Sequence, residues 1–394
     1  MMATDVRVSP AARRPLRVSA EMLAPAVIVA LLLGLLVATG LLYYHGDPTG
    51  FIRFGRAFAS RIHPPRGAVV DTARGYDGQY FWALARDPLL LRDRTVAAFA
   101  DQGFRLQRVA YPALAYLLAA GRPAAIPWVL LAINVIAVLG ITVVVGGYAR
   151  TRGRSEAWGL AAGLLPGFLF ATMGDLSDVL AVSAMLCGLI MWRRRRCWWA
   201  AGLLSVAVLA REPMMLAVAG VALEVGARAW QGGRLGAGAR ALARAAWPAC
   251  AVPVLAFAAW HAYIQLRYGG STADPGTAFA LPFVAVWREA QRAAHGASIV
   301  HGAWDLTYLA LMLLGIGASV ELLRRGCSAP AIAAVLFSLS LLVLTFGNDW
   351  SYTRLSAPLF ACLLLGGLER RSRPSLAVCA AAAVLGMLVP LAIA

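Results

Sequence analysis

Long apolar stretches separated by short polar ones run through the chain, at about 23–44, 124–148, 156–173, 176–192, 198–210, 213–227, 243–265, 305–323, 330–346, 354–369 and 375–393. A helix needs roughly 20 apolar residues to cross the hydrocarbon of a bilayer, and several of these stretches are shorter. The two around Arg211 also read as one long broken helix. The pattern predicts an all-α protein, a polytopic transmembrane helical bundle of about 11 spans. Residues 1–22 form an N-terminal tail, and 23–394 a single integral membrane domain.

Two longer polar connections, 45–123 and 266–304, interrupt the pattern. Within the first, Gln79 to Arg86 contains no breaker and predicts a short helix that Asp87-Pro88 ends. Val109–Ala120 decides the topology. It is apolar, but it is broken by Pro112 and flanked by Arg105, Arg108 and Arg122. Counted as a span, it inverts everything after it and puts Arg193–Arg196 outside. Read as an interfacial or re-entrant helix, it leaves the arginine-rich short loops on one side. Those loops hold 20 Arg against six acids, so the expectation is a cytoplasmic N-terminus and an extracytoplasmic first loop. Eleven of the twelve Asp residues then fall on or near the outer face.

Composition agrees with a membrane class. The chain has 394 residues, 60% hydrophobic and 14% charged, where soluble proteins are nearer a quarter charged. Net charge is +17, all from arginine. Its distribution argues for membrane topology and against nucleic acid as a partner. The six cysteines lie in or at the ends of apolar stretches without CxxC spacing, and read as small core residues.

The candidate chemistry begins in the first loop, with Gly75-Tyr-Asp-Gly-Gln-Tyr80. Asp77 is a candidate catalytic carboxylate, with Gly78 giving it room to be approached and Gln79 and Tyr80 beside it; the plain alternative is a helix cap. Gly174-Asp-Leu-Ser-Asp178 places Asp175 and Asp178 at i, i+3 between two apolar stretches. They could cap the following helix, orient an acceptor hydroxyl, or hold a divalent cation (Mg or Mn) against a phosphate. Arg211-Glu212 interrupts an apolar stretch and needs partners: an internal pair with Asp178 or with each other, or a lipid phosphate held by Arg211. Arg105 and Arg108 would face the headgroup layer as snorkelling anchors or phosphate contacts. Near the C-terminus, Asp349, Trp350, Tyr352 and Arg354 share the last outer loop; an interfacial aromatic belt accounts for the Trp and Tyr, while Arg354 asks for an anionic partner.

These motifs, in this order, resemble the GT-C class of polytopic glycosyltransferases that use polyprenyl-phosphate sugars. The resemblance rests on Asp77 in Tyr76-Asp-Gly-Gln79, on Arg108 to Tyr111-Pro112, on Asp175/Asp178 and on Arg211-Glu212, and covers roughly residues 20–227. In particular, the chain is similar to an uncharacterised bacterial branch with a DGQ loop motif. Asp47 departs from this order, because it stands directly after the first stretch, where many members carry their acid, and so competes with Asp77. The resemblance implies a GT-C-like bundle in the bacterial inner membrane whose long first extracytoplasmic loop bears membrane-parallel helices. It implies inverting transfer of a sugar to a cell-envelope glycan, lipid or protein acceptor. Asp77 would be the base, with Asp175 or Asp178 as second carboxylate or metal holder. Arg108, Arg211 and Arg354 would clamp the phosphate, with Gln79, Tyr80, Arg105, Tyr111 and Glu212 lining the substrate site. The rivals are a transporter or lipid-linked-sugar flippase, and a non-catalytic scaffold.

Overall fold

The computed structural model describes residues 20–72, 74–99, 103–231, 237–272, 280–295, 298–344 and 351–389. Almost everything described is helix. After α1 (Ala20–Tyr43) the chain enters the first loop through α2 (Thr49–Ile52). It continues through β1 (Phe54–Gly55), α3 (Arg56–Ile62), β2 (Val70–Thr72), α4 (Gly78–Arg86), α5 (Asp93–Ala98), a 3-10 turn at Gly103–Gln107 and α6 (Ala110–Leu118). β1 and β2 pair in parallel. The bundle then runs through α7 (Ile126–Thr151), α8 (Trp158–Gly163), α9 (Pro166–Thr172), α10 (Asp178–Arg193), α11 (Cys197–Ala210) and α12 (Met215–Gln231). Last come α13 (Ala237–Tyr268), α14 (Val284–Ala294), α15 (Ile299–Arg324), α16 (Ala329–Val343), α17 (Ser351–Arg370) and α18 (Arg373–Met387).

Among the described residues each of the apolar stretches falls on a helix, with two refinements. The stretch 156–173 is two short helices, because Leu165 leaves helical space and Pro166 opens α9 at its first position. At Arg211 the backbone is extended (φ −158°, ψ 118°), so α11 and α12 are separate helices rather than one. Among the described residues, five segments are long and apolar enough to cross a membrane: Leu23–Tyr43, Pro123–Thr151, Glu212–Trp230, Ala246–Tyr268 and Ile299–Arg324. The outward face of α1 carries Leu31, Leu35 and Leu42, all exposed. A row of outward leucines suits lipid and not water. The middle of the bundle is α17, buried from Ser351 to Leu368 except for the half-buried Leu355, and packed on α9, α10, α15, α16 and α18.

α6, within Val109–Ala120, has nine residues, about 14 Å of helix, too short to cross a bilayer. It packs on α4, α7 and α11. α4 ends as its sequence predicts, and the Asp87 carboxylate accepts from Leu91 N and Arg92 N (both 2.9 Å) to close the turn.

The first loop is held from outside itself. Near its C-terminal end α13 donates from Trp260 Nε1 to Leu106 O (2.9 Å), Tyr263 Oη to Leu89 O (2.5 Å), Arg267 Nη2 to Leu90 O (2.6 Å) and Tyr268 Oη to Phe99 O (2.8 Å). Gln107 returns a bond to Thr272 O (2.7 Å). Irregular backbone has carbonyls with no ladder partner, and these side chains satisfy them.

Candidate functional site

Asp77 is the N-cap residue of α4, and its main-chain carbonyl accepts from Tyr80 N (3.0 Å). Its side chain does not cap. Instead Oδ1 accepts from Arg105 Nε (2.9 Å) and Nη2 (2.6 Å), and Oδ2 lies 3.8 Å from Arg108 Nη1. Burial alone would raise this carboxyl's affinity for a proton; the charges of Arg105, Arg108 and Arg354 outweigh it and hold the group well below the usual carboxylate range.

The turn before it is fixed by backbone contacts. Gly75 has φ +68°, and a Cβ there would meet Gly55 N at 2.3 Å. Gln79 is fully buried, accepting from Gly55 N (3.0 Å) and donating to Arg74 O (2.9 Å). Both ends of its amide are thus spent on backbone, and it pins the turn rather than facing a ligand, contrary to the substrate-binding expectation. The absence of a side chain at Gly78 serves a different neighbour from the one expected. A Cβ there would lie 2.6 Å from Gly174 O, so the glycine lets the two acidic motifs meet backbone to backbone.

Around this junction the arginines and acids interlock. Arg108 makes a fork to Glu212, Nε to Oε2 at 2.9 Å and Nη2 to Oε1 at 2.6 Å. Burial disfavours the Arg108 charge, but Glu212, and then Asp77 and Asp178, more than restore it. Arg211 Nη1 bonds Asp178 Oδ1, which decides between its two expected internal partners. Arg354 Nη1 reaches Asp178 Oδ2 at 3.5 Å and lies over the Tyr76 ring, 5.3 Å from its centre. The anion that Arg354 asks for is therefore Asp178, a residue of the second motif. Four guanidinium groups thus meet three carboxylates, leaving one positive charge over. Asp178 is sealed, whereas Asp77, Arg105 and Glu212 keep 17%, 18% and 32% of their side chains exposed.

Arg105 and Arg108 are engaged with these acids, where the sequence had them face a headgroup layer. The 3-10 turn beneath α13 aims them at the acids. Tyr80 is half-buried, with the Arg105 guanidinium 4.3 Å from its ring centre. Tyr111 is fully buried; it donates to Leu130 O (2.9 Å) and accepts from Asn134 Nδ2 (3.1 Å), so its hydroxyl supports packing between α6 and α7 rather than lining a substrate surface.

Asp175 stands apart. It is fully buried, has φ +46°, and neither carboxylate oxygen has a hydrogen-bond partner among the described residues. Burial pushes its carboxyl well above the usual range. Ser177, not Asp175, is the N-cap residue of α10, and no side-chain cap bond forms, so the capping-box expectation is not met. Nor do Asp175 and Asp178 form a cation site: Asp178 is taken by two arginines, and among the described residues no three His, Cys, Asp or Glu come together to hold a metal. The Mg or Mn expectation has no ligand set here.

Asp47, the competitor, accepts from Thr49 N (2.9 Å) in a turn after α1 and joins none of the ion pairs among the described residues. Asp349 and Trp350 lie outside the described residues. Tyr352 is fully buried and bonds Asp305, so it is a core residue and not part of an aromatic belt. The sequence reading missed Tyr76 as a contact, although it adjoins Asp77; its ring lies between Arg354 and Arg53, the latter 5.6 Å from its centre. Comparison of the chain with models of known families, with curated proteins and with solved structures finds no match.

Proposed function

We propose that the chain is an integral membrane glycosyltransferase that moves a sugar from a polyprenyl-phosphate donor to an extracytoplasmic acceptor, with Asp77 as base. The reading rests on one observation above the others: Asp77, from the first loop, and Asp178, the first residue of α10, are drawn into one arginine-rich cluster with Glu212 and Arg354. Gathering charge from four distant parts of a chain is costly, and a purely structural knot has no need to leave two of its carboxylates, Asp77 and Glu212, partly exposed.

In the proposed topology the eleven apolar stretches cross the inner membrane, the N-terminus is cytoplasmic, and the cluster lies at the outer face. The acceptor oxygen attacks the anomeric carbon as the bond from that carbon to the phosphate oxygen breaks. The bonding electrons leave with the polyprenyl phosphate, and the acceptor proton passes to Asp77. The phosphate gains one negative charge in this step, and the surplus positive charge of the cluster stabilises it. Asp175 has no assigned proton step. Fully buried, it shapes the turn that brings Asp178 to the arginines.

The test is to incubate the purified chain in bilayer nanodiscs with a panel of polyprenyl-phosphate sugars and to measure release of polyprenyl phosphate together with glycosylated acceptor. Release with one donor, lost in Asp77→Asn, supports the reading. Movement of the intact donor across a sealed bilayer, with no transfer, would favour the flippase.

A further inference from the structure

Resting on that reading, we propose that Arg105 is a relay: it grips Asp77 until the donor arrives, then turns to the donor's phosphate and leaves the carboxylate open to the acceptor's proton. The four arginines of the cluster are not equivalent. Arg108 is forked onto Glu212, and Arg211 is bonded to the sealed Asp178. Arg105 puts two N–H groups on a single oxygen of Asp77, while its third nitrogen, Nη1, is buried with no partner among the described residues. Arg354 Nε is unpartnered in the same way. Arg86 Nε and Arg154 Nε are also buried without a partner among the described residues, but of these arginines Arg105 and Arg354 belong to the cluster around Asp77, and there an oxyanion would complete the pairing.

The surroundings allow Arg105 to turn. Its guanidinium carbon lies 4.3 Å from the Tyr80 ring centre and 4.5 Å from that of Phe104, so two aromatic faces keep contact with the cation as it changes partner. Arg105 and Asp77 also remain partly exposed, unlike Asp178. The exchange follows the charge. The acceptor proton neutralises Asp77 as the departing phosphate becomes more negative, so the cation between them gains by moving to the phosphate. Once Arg105 has left, the strongest of the charges that hold the Asp77 carboxyl low is gone and burial weighs more against the charged form, which makes Asp77 a better base at the moment it is needed. Arg108 and Arg354 still face Asp77, from the link between the 3-10 turn and α6 and from α17. Tyr76, Asp178 and Glu212 supply the opposing charge or dipole, and Arg53 stands behind Tyr76.

After transfer Arg105 lies on the lipid phosphate and Asp77 holds the acceptor's proton, so binding of the product, a polyprenyl monophosphate, should take up a proton on Asp77. The full-length chain in nanodiscs is titrated with a polyprenyl monophosphate at mildly acid pH, in buffers of different ionisation enthalpy, which reads the protons bound. Wild type should take up more protons than Asp77→Asn, whose remaining uptake belongs to the phosphate itself. Arg105→Gln, a second arm independent of how Asp77→Asn folds, should lose the extra uptake and bind roughly 10- to 100-fold more weakly. No binding, no extra uptake in wild type, or extra uptake that survives in either variant would overturn the relay. Equal binding of inorganic phosphate would overturn the lipid as its source. The readout does not depend on transfer: proton uptake without any sugar transfer would sink the glycosyltransferase reading alone, and transfer without proton uptake would sink the relay alone.

Discussion

Helix α10 begins and ends in charge, and its two ends are built differently. Asp178 opens the helix and meets Arg211 and Arg354. About 22 Å along the axis, Arg193 closes it and meets Glu224 and Glu369. At the Arg193 end, Glu224 is fully buried and its oxygens are saturated. Oε1 accepts from Arg193 Nη1 (2.9 Å) and Arg228, and Oε2 from Trp192 Nε1 (2.7 Å) and Ala329 N (3.1 Å). Glu369 Oε1 accepts from Tyr148 Oη (2.6 Å) and Arg193 Nε (2.8 Å), with one oxygen left over. This knot ties α7, α10, α12, α16 and α17 into one body. The Asp77 end uses the same residue types but leaves carboxylates partly exposed and guanidinium N–H groups unpartnered. Partial exposure of the carboxylates separates a site from a structural knot, where the mere presence of buried charge does not.

The largest stability effect is therefore expected at the Arg193 end. Glu224→Ala strands two arginines, an indole and a backbone N–H, and should destabilise the chain by about 3–5 kcal/mol, read as loss of thermal stability in detergent. A small change would mean that the knot is dispensable and that the two ends do not differ as described. At the other end Gly78→Ala should cost about 1–3 kcal/mol, because the new methyl meets the Gly174 carbonyl. It should also lower transfer by prising the two acidic motifs apart. Unchanged transfer would mean that their contact is incidental. Arg267→Ala removes the bonds to Leu90 O and should cost about 1–2 kcal/mol, with faster proteolysis of the first loop as its distinctive readout.

The smallest effects carry the sharpest sign. Asp77 and Asp175 are displaced in opposite directions from the ordinary aspartate value of 3.8. Asp77 binds its proton less tightly when folded. It contributes stability above the ordinary value, and that contribution is lost as pH falls through its folded value. Asp175 binds its proton more tightly when folded, so its contribution is full below the ordinary value and is lost as pH rises towards its folded value. Melting curves against pH should therefore lose an acid-side fall in Asp77→Asn and an alkaline-side fall in Asp175→Asn. The same change in both variants would contradict the assignment.

Much of the bundle was legible because apolar periodicity is local: among the described residues helices fall on all the apolar stretches, and the α4 stop at Asp87-Pro88 is a matter of neighbouring residues. The gathering of Asp77, Asp178 and Arg211 could be anticipated from which loops share a side. The specific partners could not. Arg354 finds Asp178 across 176 residues, and Trp260 holds Leu106 O across 154. No local pattern encodes such pairings. Gln79 misled for the same reason. A polar residue beside a candidate base looks available until both ends of its amide are seen on backbone atoms.

The most direct test sets the two ends against each other in one assay. Sugar transfer per folded molecule is measured for Asp77→Asn and Glu224→Gln. Asp77→Asn should keep its melting temperature within a few degrees and lose about 100- to 10,000-fold in rate. Glu224→Gln should lose melting temperature and keep the rate of its folded fraction. Asp77→Asn melting early while its folded fraction transfers sugar at the wild-type rate would contradict the account.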